Sequence, residues 1–132
     1  MWSKCLVVGL GGFLGANARY LIGEWVYRRL GADGHYSTFA INVTGSFVLA
    51  LFATVTLRPA WNESWRLLVA IGFLGAYTTF STFAYETLLL LAQGRLLAAA
   101  GNVAGNVLLG LAAGYLGVVA ARPLTGLPWW TH

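Results

Sequence analysis

The residues with the clearest chemical potential form a short polar run inside an apolar stretch. After two glycines come four hydroxyl residues, Thr78, Thr79, Ser81 and Thr82. Glycines and β-branched residues both weaken a helix, so we expect a break between Gly75 and Thr79. Carbonyls freed by a break can coordinate a cation, and hydroxyls and exposed amides can bind an anion. The alternative is that the hydroxyls bond back to carbonyls of their own helix.

Two phenylalanines and an asparagine could complete an anion site beside this run. Phe80 and Phe83 are three residues apart and share a helix face, a spacing that is common in ordinary core packing. Their ring edges carry partial positive charge, so a pair facing a narrow polar track could also support a small anion. Asn42 can donate two amide hydrogens, although a single asparagine in a membrane helix often serves only to join helices.

Small residues predict which helix faces meet. Gly12, Ala16, Arg19 and Gly23 follow helical spacing near the N-terminus. A second strip near the C-terminus has the same spacing and consists of Asn102, Asn106, Gly110, Gly114 and Gly117. Such strips let helix backbones approach closely, so we expect both to face protein. Arg19 is then an intramembrane cation that either anchors at the interface or provides positive charge at a vestibule for an anion.

The elements that must carry these residues are membrane helices. Of the 132 residues, 58% are hydrophobic and only 9% are charged, against about 25% charged in an ordinary soluble domain. Too few charged groups remain to cover a water-facing surface, which argues against a soluble enzyme. We predict one all-α membrane domain over residues 1–132, with four transmembrane helices at about 5–29, 36–57, 65–92 and 95–121 and the third helix broken near its middle.

The basic residues do not favour one orientation in the membrane. With four spans both termini lie on one side, which holds Lys4, Arg58, Arg66 and Arg122, and the opposite side holds Arg28, Arg29 and Arg95. Because the two sides carry nearly equal numbers of Lys and Arg residues, the positive-inside rule does not favour either orientation. We therefore expect copies to insert both ways and to pair antiparallel. The basic residues are also scattered, so nucleic acid is not an expected partner.

Three segments resemble signature blocks of the Fluc (CrcB) fluoride channel family: GGFLGANARY at 11–20, TFAINVTG at 38–45 and GFLGAYTTFSTF at 72–83. The TTFSTF run is highly specific, and the order and spacing of the blocks match over most of the chain. The resemblance implies a four-helix subunit of a dual-topology antiparallel homodimer with two fluoride pores. It also implies a passive fluoride-selective channel, not an enzyme, that crosses the cell (inner) membrane several times and exports toxic cytoplasmic fluoride.

The resemblance also implies roles for individual residues. Phe80 and Phe83 match the phenylalanines that line the fluoride path, and Asn42 matches the asparagine that contacts the pore. The polar residues expected to complete the path are Thr79, Ser81, Thr82 and Asn106. Arg19 matches the family's arginine of the first helix, and Glu86 matches the acidic residue that follows the third-helix motif, both with structural or vestibule roles.

A sodium ion is the one implied cofactor. The main-chain carbonyls of Gly75 and Thr78 match positions that, in both subunits, bind a buried structural Na⁺ at the dimer centre. The chain departs from the family pattern at Ala76 and Tyr77, where a glycine and a small apolar residue are commoner, and at Gly110, where a serine usually stands. We expect Asn106 or Thr79 to substitute for the missing serine hydroxyl.

Two other functions compete with a fluoride channel. A small multidrug-type proton-coupled cation antiporter would need a central carboxylate in the first span, whereas Glu24 lies near the end of that span. Glu86 lies about eight residues, or about 12 Å, from the middle of the third span. A non-transporting assembly subunit is the other alternative, and it predicts no ion flux from the chain alone.

Overall fold

The computed structural model describes residues 1–30, 35–57 and 61–126, and these ranges are helical almost throughout. Helix α1 spans Trp2–Leu30, and α2 spans His35–Val55. Helix α3 covers residues 63–77, α4 spans Phe80–Ala92, and α5 spans Leu96–Thr125. Arg58, which entered the orientation count above, lies outside the described residues.

Four segments of the described chain are long and apolar enough to cross a membrane, with α3 and α4 together forming the third. The predicted all-α fold with four spans is confirmed. Helix α1 begins at Trp2, before the expected start at 5, and α5 continues to Thr125, beyond the expected end at 121. It ends because Gly126 adopts a left-handed conformation with φ 64°, and the Gly126 N–H donates to the Arg122 carbonyl at 2.9 Å.

Helix α1 packs against α3 through glycines. A Cβ atom at Gly15 would overlap the Phe73 carbonyl, and one at Gly11 would overlap the Leu68 carbonyl. These glycines therefore let the two backbones touch, as is usual between helices in lipid. The predicted strip began at Gly12, where a Cβ atom would lie 4.0 Å from the nearest atoms of α3. The closest approach is thus rotated by one residue from the prediction.

Helix α2 packs against the second half of α5. A Cβ atom at Gly117 would overlap the Phe47 carbonyl, and Cβ atoms at Gly110 and Gly114 would lie 3.7 and 3.9 Å from Ser46. The second predicted strip of small residues therefore faces protein, as expected.

The third span breaks where the sequence predicts. Residues Arg66–Leu74 form a widened π-helix, and a single α-helical turn, Gly75–Tyr77, leads into the break. Thr78 (φ −76°, ψ 155°) and Thr79 (φ −150°, ψ 110°) are both extended. Helix α4 restarts with Thr79 as its N-cap, because the Thr79 Oγ1 accepts the Thr82 N–H at 3.3 Å.

Tyr77 anchors the α3 side of the break. It is buried in a core cluster with Ile41 and Leu74. Its ring stacks on Phe73 with centroids 6.0 Å apart, and its hydroxyl lies 3.0 Å from the Thr44 Oγ1 on α2. The large side chain that departs from the family pattern therefore has both an apolar neighbour and a hydrogen-bond partner, as a buried tyrosine requires.

Candidate functional site

Asn42 of α2 closes the hydrogen-bonding gap at the break. Its Oδ1 accepts the Thr79 N–H at 2.9 Å, and its Nδ2 donates to the Thr79 carbonyl at 3.2 Å. The side-chain amide thus pairs with Thr79 as the backbone of a neighbouring strand would. Unpaired backbone groups at membrane depth cost several kcal/mol each, so this contact is what makes an extended residue tolerable there.

A cavity of about 270 Å³ opens beside the pair formed by Asn42 and Thr79. We call it the phenylalanine cavity, and its principal lining residues are Asn42, Ser46, Thr79, Phe80, Phe83 and Asn106. Five of the seven residues predicted for the fluoride path therefore come together around one space. Helix α2 contributes Asn42, the break and α4 contribute Thr79 and both phenylalanines, and α5 contributes Asn106.

The two phenylalanines occupy different environments. Their ring centroids are 5.5 Å apart and the ring planes are inclined at 56°. Phe83 is 9% exposed, so its ring is held within the subunit. Phe80 is 78% exposed and projects from the subunit surface next to the cavity. The Phe83 ring is thus part of the subunit's own packing, whereas the Phe80 ring is exposed at the subunit surface and can contact a neighbouring molecule.

The hydroxyls of Ser81 and Thr82 lie at the start of α4. The Thr79 Oγ1 is 3.0 Å from the Thr82 Oγ1 and 3.5 Å from the Ser81 Oγ. This cluster caps the helix, because Thr79 also accepts the Thr82 N–H. Both Ser81 and Thr82 are exposed. Thr82 lines a second cavity instead of the phenylalanine cavity.

This second cavity, of about 300 Å³, lies on the other side of Thr79. We call it the arginine cavity, and its polar lining includes Arg19, Glu24, Thr38, Thr79, Thr82 and Glu86. The structure therefore places the two predicted vestibule residues, Arg19 and Glu86, around one space. Thr79 lines both cavities, so the break forms the wall between them.

The two carboxylates of the arginine cavity have different partners. The Thr38 hydroxyl donates to the Glu86 Oε1 at 2.8 Å, while the Glu86 Oε2 is buried with no hydrogen-bond partner within residues 1–30, 35–57 and 61–126. Glu24 forms an exposed ion pair with Arg28 one helical turn later, with N and O atoms 3.1 Å apart. Glu24 is therefore not a free carboxylate at the membrane centre.

The carbonyls of Gly75 and Thr78 have lost their usual helical donors. In a regular helix the Thr79 N–H would bond to the Gly75 carbonyl, and the Thr82 N–H would bond to the Thr78 carbonyl. Here the first donates to the Asn42 Oδ1 and the second to the Thr79 Oγ1. Both oxygens are hard, neutral donors of the kind that alkali and alkaline-earth cations prefer. In the described part of the chain, no cluster of three His, Cys, Asp or Glu residues could hold a metal ion.

Three polar residues near the phenylalanine cavity were not predicted as site residues. Asn102 is 6% exposed and bonds to Asn106, and Thr87 accepts a hydrogen bond from Asn102 at 3.0 Å. Helical spacing was the signal for two of them: Asn102 stands four residues before Asn106 in the second strip of small residues, and Thr87 stands four residues after Phe83. Ser46 lies opposite Gly110, where its hydroxyl stands near the position of the usual serine and donates to the Asn42 carbonyl at 2.7 Å.

Comparison with known proteins identifies the family. The profile described as "CrcB-like protein, Camphor Resistance (CrcB)" matches residues 6–118. A protein of Acidobacterium capsulatum named "Fluoride-specific ion channel FluC" is 50% identical over 124 residues, which cover 90% of this chain and 96% of that protein. Proteins with the same name from Koribacter versatilis and Geobacter metallireducens are 48% and 43% identical, over 82% and 90% of this chain and 86% and 97% of their own lengths. The chain belongs to the CrcB-like family.

Proposed function

We propose that this chain is the subunit of a fluoride-selective channel that lets cytoplasmic fluoride leave the cell passively. The observation that carries the proposal is the broken third span, where Asn42 pairs with the extended Thr79 beside Phe80 and Phe83. The relatives' names agree with this function. A channel moves an ion without transforming it, and the chain is a multi-pass membrane protein and not an enzyme.

The chemistry of fluoride suits the phenylalanine cavity. A pore must replace the water around a small, strongly hydrated anion with other donors, yet bind the ion weakly enough to release it. Polar groups of Asn42, Ser46 and Thr79 lie at the cavity wall, and their hydrogens are bonded to protein acceptors, so an entering anion would compete with those acceptors for them. The positive edges of the Phe80 and Phe83 rings add a weak attraction that does not trap the ion.

The channel is proposed to be an antiparallel homodimer with two pores. Phe80 is 78% exposed, so one wall of the phenylalanine cavity is incomplete in a single subunit. In the 18-residue apolar window of each of the first and last spans, only 11% of the residues are buried within the chain, which leaves large faces for lipid and for a second copy. The near balance of basic residues between the two sides lets copies insert in both orientations, and a two-fold axis then gives each pore the same residues.

A sodium ion is proposed at the dimer centre, held by the Gly75 and Thr78 carbonyls of both subunits. The support is that the usual N–H donors of these two carbonyls bond elsewhere, to Asn42 and to the Thr79 hydroxyl. A bound cation would satisfy carbonyl oxygens whose usual N–H donors bond elsewhere at the break. The ion would hold the two breaks together and is not expected to move with fluoride.

Fluoride efflux from vesicles tests the proposed function. Purified protein is reconstituted in liposomes loaded with either fluoride or chloride, and efflux of each is followed with an ion-selective electrode. We expect rapid fluoride efflux, slow chloride efflux, and loss of fluoride efflux in Phe83→Ile and Phe80→Ile. Phe13→Ile is the matched control, because Phe13 is an exposed residue of α1 away from the cavity.

Three results would contradict the proposal. Equal chloride and fluoride efflux would remove the claim of selectivity. Proton-driven cation flux that Glu24→Gln abolishes would favour the antiporter, and no flux of any ion from correctly folded protein would favour an assembly subunit.

A further inference from the structure

A run of hydrogen bonds leads from the break through α5 to α4. The Asn42 Nδ2 donates to the Asn106 Oδ1 at 2.9 Å, and the Asn106 Nδ2 donates to the Asn102 Oδ1 at 3.0 Å. The Asn102 Nδ2 donates to the Thr87 Oγ1 at 3.0 Å, and the Thr87 hydroxyl donates to the Phe83 carbonyl at 2.8 Å. We call Asn42, Asn106, Asn102 and Thr87 the asparagine relay.

Backbone groups at the two ends fix the direction of the asparagine relay. The Thr79 N–H can only donate, so the Asn42 atom that accepts from it must be Oδ1. The Asn42 Nδ2 then lies toward the Thr79 carbonyl and Asn106. The next residue must offer an acceptor to this Nδ2, which turns the Asn106 Nδ2 toward Asn102. At the far end the Phe83 carbonyl can only accept, so the Thr87 proton points to it. Every link therefore donates in the same sense.

The Asn106 side-chain amide is bonded to protein groups at both of its polar atoms, as that of Asn42 is. Its Nδ2 lies 3.0 Å from both the Asn102 carbonyl and the Asn102 Oδ1, so both of its amide hydrogens are engaged. Its remaining polar atom, Oδ1, accepts from Asn42 and would repel an anion. Although Asn106 lines the phenylalanine cavity, it thus has no free donor for fluoride.

We propose that Asn106, Asn102 and Thr87 are positioning residues that hold the Asn42 amide in the one orientation that can pair with Thr79. This inference rests on the proposed function, because it concerns how the fluoride path is kept in shape. Asn102 is 6% exposed, and hydrogen bonds in such an environment polarise and strengthen one another. Rotation of Asn42 would set its Nδ2 against the Thr79 N–H and would require the part-buried hydrogen bonds behind it to reverse.

The relay also joins the two ends of the site. It starts at the extended Thr79, and it ends at the carbonyl of Phe83, whose ring lines the same cavity. Breaking the relay at Thr87 therefore removes support from Asn42 without altering any residue that lines the phenylalanine cavity. Thr87 is for this reason the best site for a test.

The test compares Thr87→Val, which removes the hydroxyl at similar volume, with Thr87→Ser, which keeps it. Thr54→Val is the matched control, because among the described residues the Thr54 hydroxyl bonds to one partner, the Ala50 carbonyl of its own helix, at 2.7 Å. Two measurements are made on the full-length protein: fluoride efflux from liposomes, and hydrogen exchange of the Thr79 backbone N–H by NMR.

For Thr87→Val we expect Thr79 exchange to be faster by about fivefold, as the weakening of one hydrogen bond predicts, and fluoride efflux to fall. Thr87→Ser and Thr54→Val should behave as the wild type in both measurements. Unchanged Thr79 exchange in Thr87→Val would overturn the proposal. Faster exchange with unchanged efflux would also overturn it, because the relay would then be a packing feature only.

Failure of the relay and failure of the proposed function give different results. A wild-type protein that carries no fluoride refutes the function, while Thr79 exchange still reports whether the relay holds Asn42. If Thr87→Val does not fold, Asn102→Leu breaks the same link from α5 and is judged by the same two measurements. If hydrogen exchange became faster throughout α2 and α5 by the same factor as at Thr79, the substitution would have loosened the whole fold. That result would contradict a positioning role.

Discussion

At the scale of the residue, the account depends on Asn42. This one side chain supplies an acceptor and a donor to Thr79, one of the two extended residues at the break. Its second amide hydrogen is given to Asn106. Asn42 therefore both stabilises the break and lines the phenylalanine cavity. Its replacement should lower both the stability of the protein and the fluoride efflux.

Replacing Asn42 with leucine tests this double role. We expect a loss of about 1–3 kcal/mol in the free energy of unfolding, because the buried N–H and carbonyl of Thr79 lose their partners. Fluoride efflux should also fall to the level of empty liposomes. Both effects are measured in the same preparation, by thermal unfolding in detergent and by the fluoride electrode.

Asn17→Leu is the control for this substitution. The Asn17 side chain is exposed and donates to the Phe13 carbonyl one turn earlier in α1, at 2.7 Å. It should therefore leave both stability and efflux near the wild-type values. If Asn42→Leu matched Asn17→Leu in stability, the pairing of Asn42 with Thr79 would not be what holds the break.

At the scale of the element, close contact between α1 and α3 fixes the first half of the broken span. Gly15→Ala should destabilise the protein by about 1–3 kcal/mol, because the added methyl group would overlap the Phe73 carbonyl. Gly9→Ala, on the same helix, meets nothing within 4 Å and should be neutral or slightly stabilising. The melting temperatures of the two variants are compared by thermal unfolding. Equal values would show that α1 and α3 are not in backbone contact at Gly15.

The sequence predicts elements better than it predicts contacts. The position of the break was predictable, because Gly75 and the threonine pair are local signals that weaken a helix. The partner of the break was not, because Asn42 lies 37 residues away and its role depends on the angle between helices. The contact face of α1 was missed by one residue because glycines at neighbouring positions present several possible faces.

In the candidate site, too, the residues could be predicted from the sequence better than their contacts. The resemblance placed Phe80, Phe83, Asn42, Thr79 and Asn106 in one site, and these residues do surround one cavity. It gave no indication that Phe80 is exposed while Phe83 is buried, because exposure is set by tertiary packing. Asn102 was expected to face protein but was given no role in the site, and Thr87 was missed, because the hydrogen bond between them joins two helices and depends on how those helices pack.

At the scale of the whole molecule, the proposed dimer requires subunits in both orientations. Cys5 is the single cysteine of the sequence, and it is exposed near the start of α1. It can therefore report orientation without any substitution. In intact cells a membrane-impermeant thiol reagent should label about half of the subunits, as equal insertion in the two orientations requires, and the rest only after permeabilisation.

Cys5→Ser should give no labelling and serves as the control. Labelling of all subunits from one side, or of none until permeabilisation, would contradict dual topology. Such a result would also remove the basis for two symmetric pores, because subunits of one orientation cannot be related by a two-fold axis in the membrane plane.

The proposed sodium site makes a separate prediction for the assembled molecule. Replacing sodium with N-methylglucamine during purification and assay should slow fluoride efflux and destabilise the dimer, because carbonyl oxygens of Gly75 and Thr78 would lose a shared ligand. Restoring sodium on both sides of the vesicle should restore efflux. The same fluoride efflux and the same dimer stability with and without sodium would argue against a structural ion.

The function proposed for the broken third span is to form a fluoride-selective path. The most direct test is the reversal potential of the purified protein in a planar bilayer with fluoride on one side and chloride on the other. We expect a large reversal potential of the sign set by the fluoride gradient, and we expect Phe83→Ile to abolish both the current and this potential. A reversal potential near zero, with current carried equally by chloride, would contradict the account.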